Sequence, residues 1–219
     1  MTNLRIIRER VAVACERANR DVAEITLVGA SKKVEAERLR DFIESGLRDC
    51  GENYVQEGVA KREALRDCNI CWHFIGALQS NKARVAVQNF SLIHSLDRVS
   101  LARELDKAAR EQNKIQDVLL QVNVSGEASK AGCAPDELER LLETCAALPN
   151  LRITGLMALP AYETDAEKVR PSFVLLRQLR DRLLPDSALS MGMSNDFETA
   201  IEEGATHIRV GSALFGARN

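Results

Sequence analysis

"ITLVGASKKVEAERLRDFIESGLRDCGEN", residues 25–53, reads as a strand, a helix and a second strand in succession. Ile25, Leu27, Val28 and Ala30 are apolar or small, which is the pattern of a strand covered on both faces. "ERLRDFIES" then turns charged and helix-periodic before "LRDCGEN" resumes an apolar run. The same alternation continues outward through "CWHFIG", "SLIHSLD", "DVLLQVNV", "LRITGLMALP", "ALSMGMS" and "HIRVGSALFG", with stretches such as "VSLARELDKAAREQN" between them. That makes eight strand candidates, each but the last followed by a helix candidate. Strands that return to the same end of a sheet through crossovers are parallel, and eight such units point to closure as a single-domain α/β TIM (β/α)8 barrel. An open doubly wound sheet competes, but its first strand leads into a Gly-rich turn, and "GASKKVEAE" has one glycine.

Ahead of the barrel, Leu4, Ile7, Val11, Ala14 and Ala18 fall at amphipathic spacing. Residues 1–20 are therefore expected as an extra N-terminal helix packed on the barrel. No Pro-, Gly- or Ser-rich linker interrupts the chain, so residues 1–219 are expected as one domain. Hydrophobic residues make up 45% and charged ones 28%, with a formal net charge of −2. This balance excludes disorder and gives no nucleic-acid footprint, leaving a small molecule as the expected partner. The N-terminus scatters arginines through its apolar positions, and no run is long enough to span a bilayer, so a cytoplasmic protein without membrane contact is expected. Six cysteines form no regular framework and are expected to stay reduced. Cys68 and Cys71 do make a CxxC, but "DCNICWHF" offers no second ligand pair, and the pair reads as structural.

In a parallel barrel the residues ending the strands converge on one face. Here those ends are polar: Lys32 after strand one, Glu52 and Asn53 after strand two, "GALQSNK" after strand three, and Asn123 after strand five. Strand six carries Met157, and strands seven and eight end in "MGMSND" and "RVGS". In "SMGMSNDFETAI", Ser194 or Asn195 is placed to cap the next helix, and Glu198 stands where it would complete a capping box with Asn195. The same geometry turns backbone N–H groups toward the barrel mouth, where an anion is favoured. Gly211 and Ser212 add close backbone approach and a hydroxyl, and the loops after strands seven and eight are the usual phosphate site of this fold. Arg209 inside "HIRVG" needs an acceptor, either a buried carboxylate or a heteroatom of a ligand. A lysine, a phosphate cradle and an inward arginine together suggest pyridoxal 5'-phosphate, with Lys32 as the residue that forms a Schiff base.

The sequence resembles the pyridoxal-phosphate homeostasis proteins, whose fold is similar to the N-terminal barrel of alanine racemase. The likeness spans nearly the whole chain. It is carried by "SK" at 31–32, "GENYVQE" at 51–57, "WHFIG" at 72–76, "LQSNK" at 78–82, "HS" with "DR" at 94–98, "QVNVSGEASKAG" at 121–132, "GLM" at 155–157, "SMGMS" at 190–194 and "RVGSALFGAR" at 209–218. The resemblance implies a cofactor held as an internal aldimine on Lys32, a phosphate held by Ser194, Gly211 and Ser212, a pyridine nitrogen facing Arg209, and Asn53 near the ring. It also implies a role in pyridoxal-phosphate homeostasis, with dependent apoenzymes as recipients of the cofactor, and a monomer is expected. Three positions depart from the family pattern: "SKTKP" reads "SKKVE", moving the second lysine to Lys33 where Val34 follows, "GHLQSNK" has Ala77, and the aspartate after "MGMS" is Asn195.

An amino-acid racemase using the same cofactor is the alternative. An arginine at the ring nitrogen disfavours its protonation and weakens the electron sink. Racemisation needs an acid/base on each face of the substrate's α-carbon, and with the chain ending at Asn219 no second domain is expected to supply one. Tyr54 is expected to pack or cap and His73 to lie in the core or pocket wall, so no catalytic residue is assigned. A Schiff-base aldolase fits the barrel and cradle but leaves Arg209 without a role.

Overall fold

The computed structural model describes residues 3–127, 130–161 and 163–216. Eight parallel strands close in sequence order: β1 (Thr26–Ala30), β2 (Asp49–Glu52), β3 (Cys71–Phe74), β4 (Leu92–Leu96), β5 (Gln116–Val122), β6 (Leu151–Ala158), β7 (Ala188–Ser190) and β8 (His207–Val210). The barrel closes where Thr26 pairs with His207 and Val28 with Arg209. All eight apolar runs of the sequence are strands. The expected barrel therefore forms, and its alternation has the physical cause anticipated: each parallel neighbour is reached by a crossover helix.

The described helices are α1 (Asn3–Arg17), α2 (Ala36–Glu44), α3 (Val55–Ala64), α4 (Ala83–Asn89), α5 (Val99–Glu111), α6 (Leu138–Ala146), α7 (Arg170–Leu183), α8 (Phe197–Glu202) and α9 (Ser212–Phe215). The last strand is thus followed by one helical turn, α9, which the strand-by-strand reading lacked. Helix α2 buries Leu39 and Ile43, and α5 buries Leu101, Ala102, Leu105, Ala108 and Ala109, the apolar stripes that seat them on the sheet. Helix α1 buries Leu4, Ile7, Val11, Ala14 and Cys15 and packs against α8 and α9. None of the helices among the described residues is long and apolar enough to cross a membrane.

Barrel interiors are normally filled by branched apolar side chains. This one carries a polar string instead. His73, His94, Ser190 and Arg209 are all buried, on strands β3, β4, β7 and β8.

Candidate functional site

Lys32, Asn53, Ser194, Arg209, Gly211 and Ser212 all border one cavity of about 360 Å³ at the C-terminal mouth of the barrel. Lys32 stands in the turn that ends β1, and that turn rests on a buried ionic cluster. Lys61 of α3 donates from Nζ to Ser31 O (2.5 Å), Glu52 Oε1 (2.8 Å) and Glu57 Oε1 (2.7 Å). Ser31 Oγ donates to Glu52 Oε1 at 2.6 Å, and the Lys33 N–H donates to Glu57 Oε1 at 2.5 Å. Lys33 takes a left-handed φ of 61°, which the bond to Glu57 helps hold. Burial raises the Glu52 carboxyl above its ordinary value, against the lowering effect of Lys61 and Ser31. The cluster went unread in the sequence, although Glu57 and Lys61 stand at the i, i+4 spacing of a helical ion pair. Lys33 itself is exposed and does not border the cavity.

Asn53 follows β2, and its position depends on Gly76: a Cβ there would lie 2.2 Å from Asn53 O and 2.7 Å from Asn53 Cα. Tyr54 is the N-cap residue of α3, one of its two expected roles, though without a side-chain bond, and at 54% exposed it does not pack in the core. Its ring centroid instead lies 5.9 Å from Lys32 Nζ, at the edge of the mouth.

On the opposite side, Ser194 Oγ accepts the N–H groups of Gly211 and Ala213, each at 3.2 Å. Ser194 therefore ties the β7 loop to the start of α9 and does not cap α8. The cap position is also shifted from the one expected. The N-cap of α8 is Asp196, whose Oδ1 accepts the Met193 N–H at 2.5 Å, and Glu198 is drawn away by Arg10 of α1, which binds it through two nitrogens at 2.9 and 2.8 Å. Gly192 permits the tight entry to this loop: its φ is +90°, and a Cβ would lie 2.6 Å from Ala200 Cβ. Asp196, unmarked in the sequence, is buried and borders the cavity, and burial raises its carboxyl.

Arg209 points inward and is 3% exposed. Its Nη1 donates to Ser190 Oγ at 2.5 Å and its Nη2 to Ala158 O at 2.8 Å. Among the described residues no carboxylate forms a direct salt bridge with it, although the charge of the buried Asp196, on the same cavity, acts on it and raises it. Burial depresses the guanidinium to about 10, which leaves it charged at neutral pH. Behind it the string continues: Ser190 Oγ lies 2.8 Å from His94 Nδ1, His94 Nε2 lies 3.0 Å from His73 Nδ1, and His73 Nε2 lies 3.0 Å from Asp49 Oδ1. Burial opposes a charge on His73, but hydrogen bonds to Asp49 and Cys71 outweigh it and push the ring up to about 9. Burial holds His94 well below its ordinary value, with the positive His73 adding to that effect. With His73 protonated, its Nδ1–H donates to His94 Nε2, and the neutral His94 donates its Nδ1–H to Ser190 Oγ. The core position expected for His73 is thus found, with a hydrogen-bonding role the sequence did not reveal.

Other flagged residues lie elsewhere. Asn123 organises its own loop, where Nδ2 donates to Glu127 O at 2.9 Å and Oδ1 accepts from Ser125 and Gly126. Met157 is fully buried. Tyr162 and the last residues of "RVGSALFGAR" lie outside the described residues.

The family described as alanine racemase, N-terminal domain, matches residues 2–219. A pyridoxal phosphate homeostasis protein of Aquifex aeolicus is 50% identical, covering 97% of this chain and 95% of that one. A protein from Bifidobacterium adolescentis superposes with a TM-score of 0.91 at 34% identity, covering 97% of this chain and 92% of its own. PipY of Synechococcus elongatus PCC7942, solved with PLP bound, superposes with a TM-score of 0.81 at 37% identity, over 96% of this chain and all (100%) of that one. With near-complete coverage in both directions, the chain belongs to the alanine racemase N-terminal domain family and, within it, to the pyridoxal phosphate homeostasis proteins.

Proposed function

We propose that this protein binds pyridoxal 5'-phosphate at the C-terminal mouth of the barrel and holds it on Lys32 as a Schiff base. The observation that supports this reading is the convergence of Lys32, Ser194, Arg209, Gly211 and Ser212 on one cavity of about 360 Å³. The donor set fits the group. Ser194 and the N–H groups of Gly211 and Ala213 gather where a phosphate would be held, and Asn53 lies beside the ring's place. Arg209, charged and in no direct salt bridge with a carboxylate among the described residues, suits an unprotonated pyridine nitrogen as acceptor. The cofactor supplies an aldehyde carbon to which amines add.

The role that follows is that of a carrier in cofactor balance, a monomer in the cytoplasm with dependent apoenzymes as recipients. PipY, of similar sequence and fold, is known with PLP bound, which supports the ligand assignment. Borohydride reduction of the yellow protein followed by peptide mapping tests it. Lys32 is expected to carry the label, and a label on Lys33, or on no lysine, overturns the assignment.

A further inference from the structure

At the opposite, N-terminal end of the barrel, Asp49 opens β2 and Cys71 opens the neighbouring β3, and the two are paired in register. His73 lies two residues beyond Cys71, so both side chains project from the same side of the strand. The carboxylate, thiol and imidazole ligand atoms of Asp49, Cys71 and His73 all lie within 4.8 Å of one another. From these three residues we infer a zinc site at the barrel floor, remote from the cofactor cavity.

The donor set suits zinc: one thiolate, one imidazole and one carboxylate are ligands it takes at about 2.0 to 2.3 Å, and three protein ligands leave a fourth position to solvent. His73 presents Nε2 to this site, 3.0 Å from Asp49 Oδ1, while its Nδ1 is held 3.0 Å from His94 Nε2. Such an outer partner orients a ligating imidazole and fixes its tautomer. Access is available, since Asp49 is half-buried and borders a separate cavity of about 370 Å³ shared with Arg8, Thr26 and Arg48. The CxxC spacing is incidental to this site. Cys68 lies against Arg40, 3.3 Å from its Nη1, and is not part of the cluster.

Metal binding releases two protons to solvent, one from the Cys71 thiol as the sulfur–metal bond forms and one from His73 Nε2 as the nitrogen–metal bond forms. With zinc on His73 Nε2, the Nδ1 proton is fixed toward His94, and the string of hydrogen bonds to Ser190 and Arg209 keeps one direction. The metal would thus stabilise the support of Arg209 from below.

The test uses the full chain with its cofactor. Zinc affinity is measured by competition with a chromophoric chelator, and cadmium addition is followed in the ultraviolet, where a thiolate–cadmium band lies clear of cofactor absorbance. One zinc per chain and a cadmium band are expected. Cys71→Ser should remove the band and weaken zinc at least about tenfold, the lower end of the loss seen for outer-sphere partners. Asp49→Asn should weaken zinc by a similar factor, while Cys68→Ser should change neither readout. Absence of the band, its persistence in Cys71→Ser, or its loss in Cys68→Ser overturns the site. Should Cys71→Ser fail to fold, unchanged zinc affinity in Asp49→Asn overturns it equally.

Discussion

Ser190 accepts Arg209 at 2.5 Å on one side and lies 2.8 Å from His94 on the other, so a neutral hydroxyl anchors the guanidinium that reaches the cavity. Two consequences follow at the scale of single residues. The arginine keeps a full charge for whatever acceptor enters, and its direction is set from inside the barrel. Across the cavity, Ser194 and Ser212 differ in kind. Ser194 Oγ already accepts two backbone N–H groups, whereas Ser212 is exposed at the rim. Each is expected to bond a phosphate dianion, and charge-assisted bonds are the strong kind. Ser194→Ala and Ser212→Ala should therefore each weaken pyridoxal-phosphate binding by about 1 to 3 kcal/mol. Only the first should also lower thermal stability, because it frees Gly211 and Ala213. Titration with pyridoxal and with its phosphate checks this, and equal affinity for the two would remove the phosphate site. The individual strand-end residues were legible because each interrupts an apolar run. Lys61 was not: it sits mid-helix among charged neighbours, and only the fold brings it under Ser31, thirty positions away.

Helix α1 is the element whose placement the sequence explains least. Its apolar stripe declares that it packs, but its partner is settled by charges distant in sequence. Arg10 binds Glu198 of α8 and stacks 4.6 Å from the Phe197 ring centroid, Arg17 pairs with Glu202 at 2.9 Å, and Arg20, just beyond the helix, donates to Ile201 O and Ala205 O. Glu198, read from the sequence as a capping residue, is thus bound in bidentate fashion by Arg10, and charge-assisted pairs of that kind are the strong ones. The side chains are about one-third exposed, so the coupling is modest. A double-mutant cycle of Arg10→Ala and Glu198→Gln should give about 0.5 to 1 kcal/mol at neutral pH. The hydrogen bond from Arg10 holds the Glu198 carboxyl below its ordinary value. A carboxyl depressed on folding contributes stability above its unfolded value of about 4.3 and loses it as pH falls through the folded one. The coupling should accordingly fade below about pH 4. A coupling that persists undiminished in acid would show packing on Phe197, not charge, to be its source.

At the scale of the whole molecule, closure in sequence order explains why the strand pattern told so much. Each strand's neighbour is its next in sequence, so a correct list of strands is already the topology. The interior string from Asp49 to Arg209 was illegible for the same reason inverted: it joins side chains from β2, β3, β4, β7 and β8, and no local spacing records it. The arrangement also bears on activity. Among the described residues bordering the cofactor cavity, Lys32 and Asp196 are the candidates for moving a proton at a substrate's α-carbon. Asp196 has one oxygen held by the Met193 N–H and is raised by burial, while His73 lies 3% exposed beneath Arg209's support and does not border the cavity. The Tyr54 ring sits beside Lys32, so it adds no opposing face. Of Lys32 and Asp196, Lys32 is the one expected to take and return a proton, from one side. Incubating the protein with L- and D-alanine in heavy water is expected to give slow α-deuteration with configuration retained, read by mass spectrometry and chiral chromatography. Rapid interconversion of the enantiomers would require a second base opposite Lys32 and would replace the carrier reading with that of a racemase.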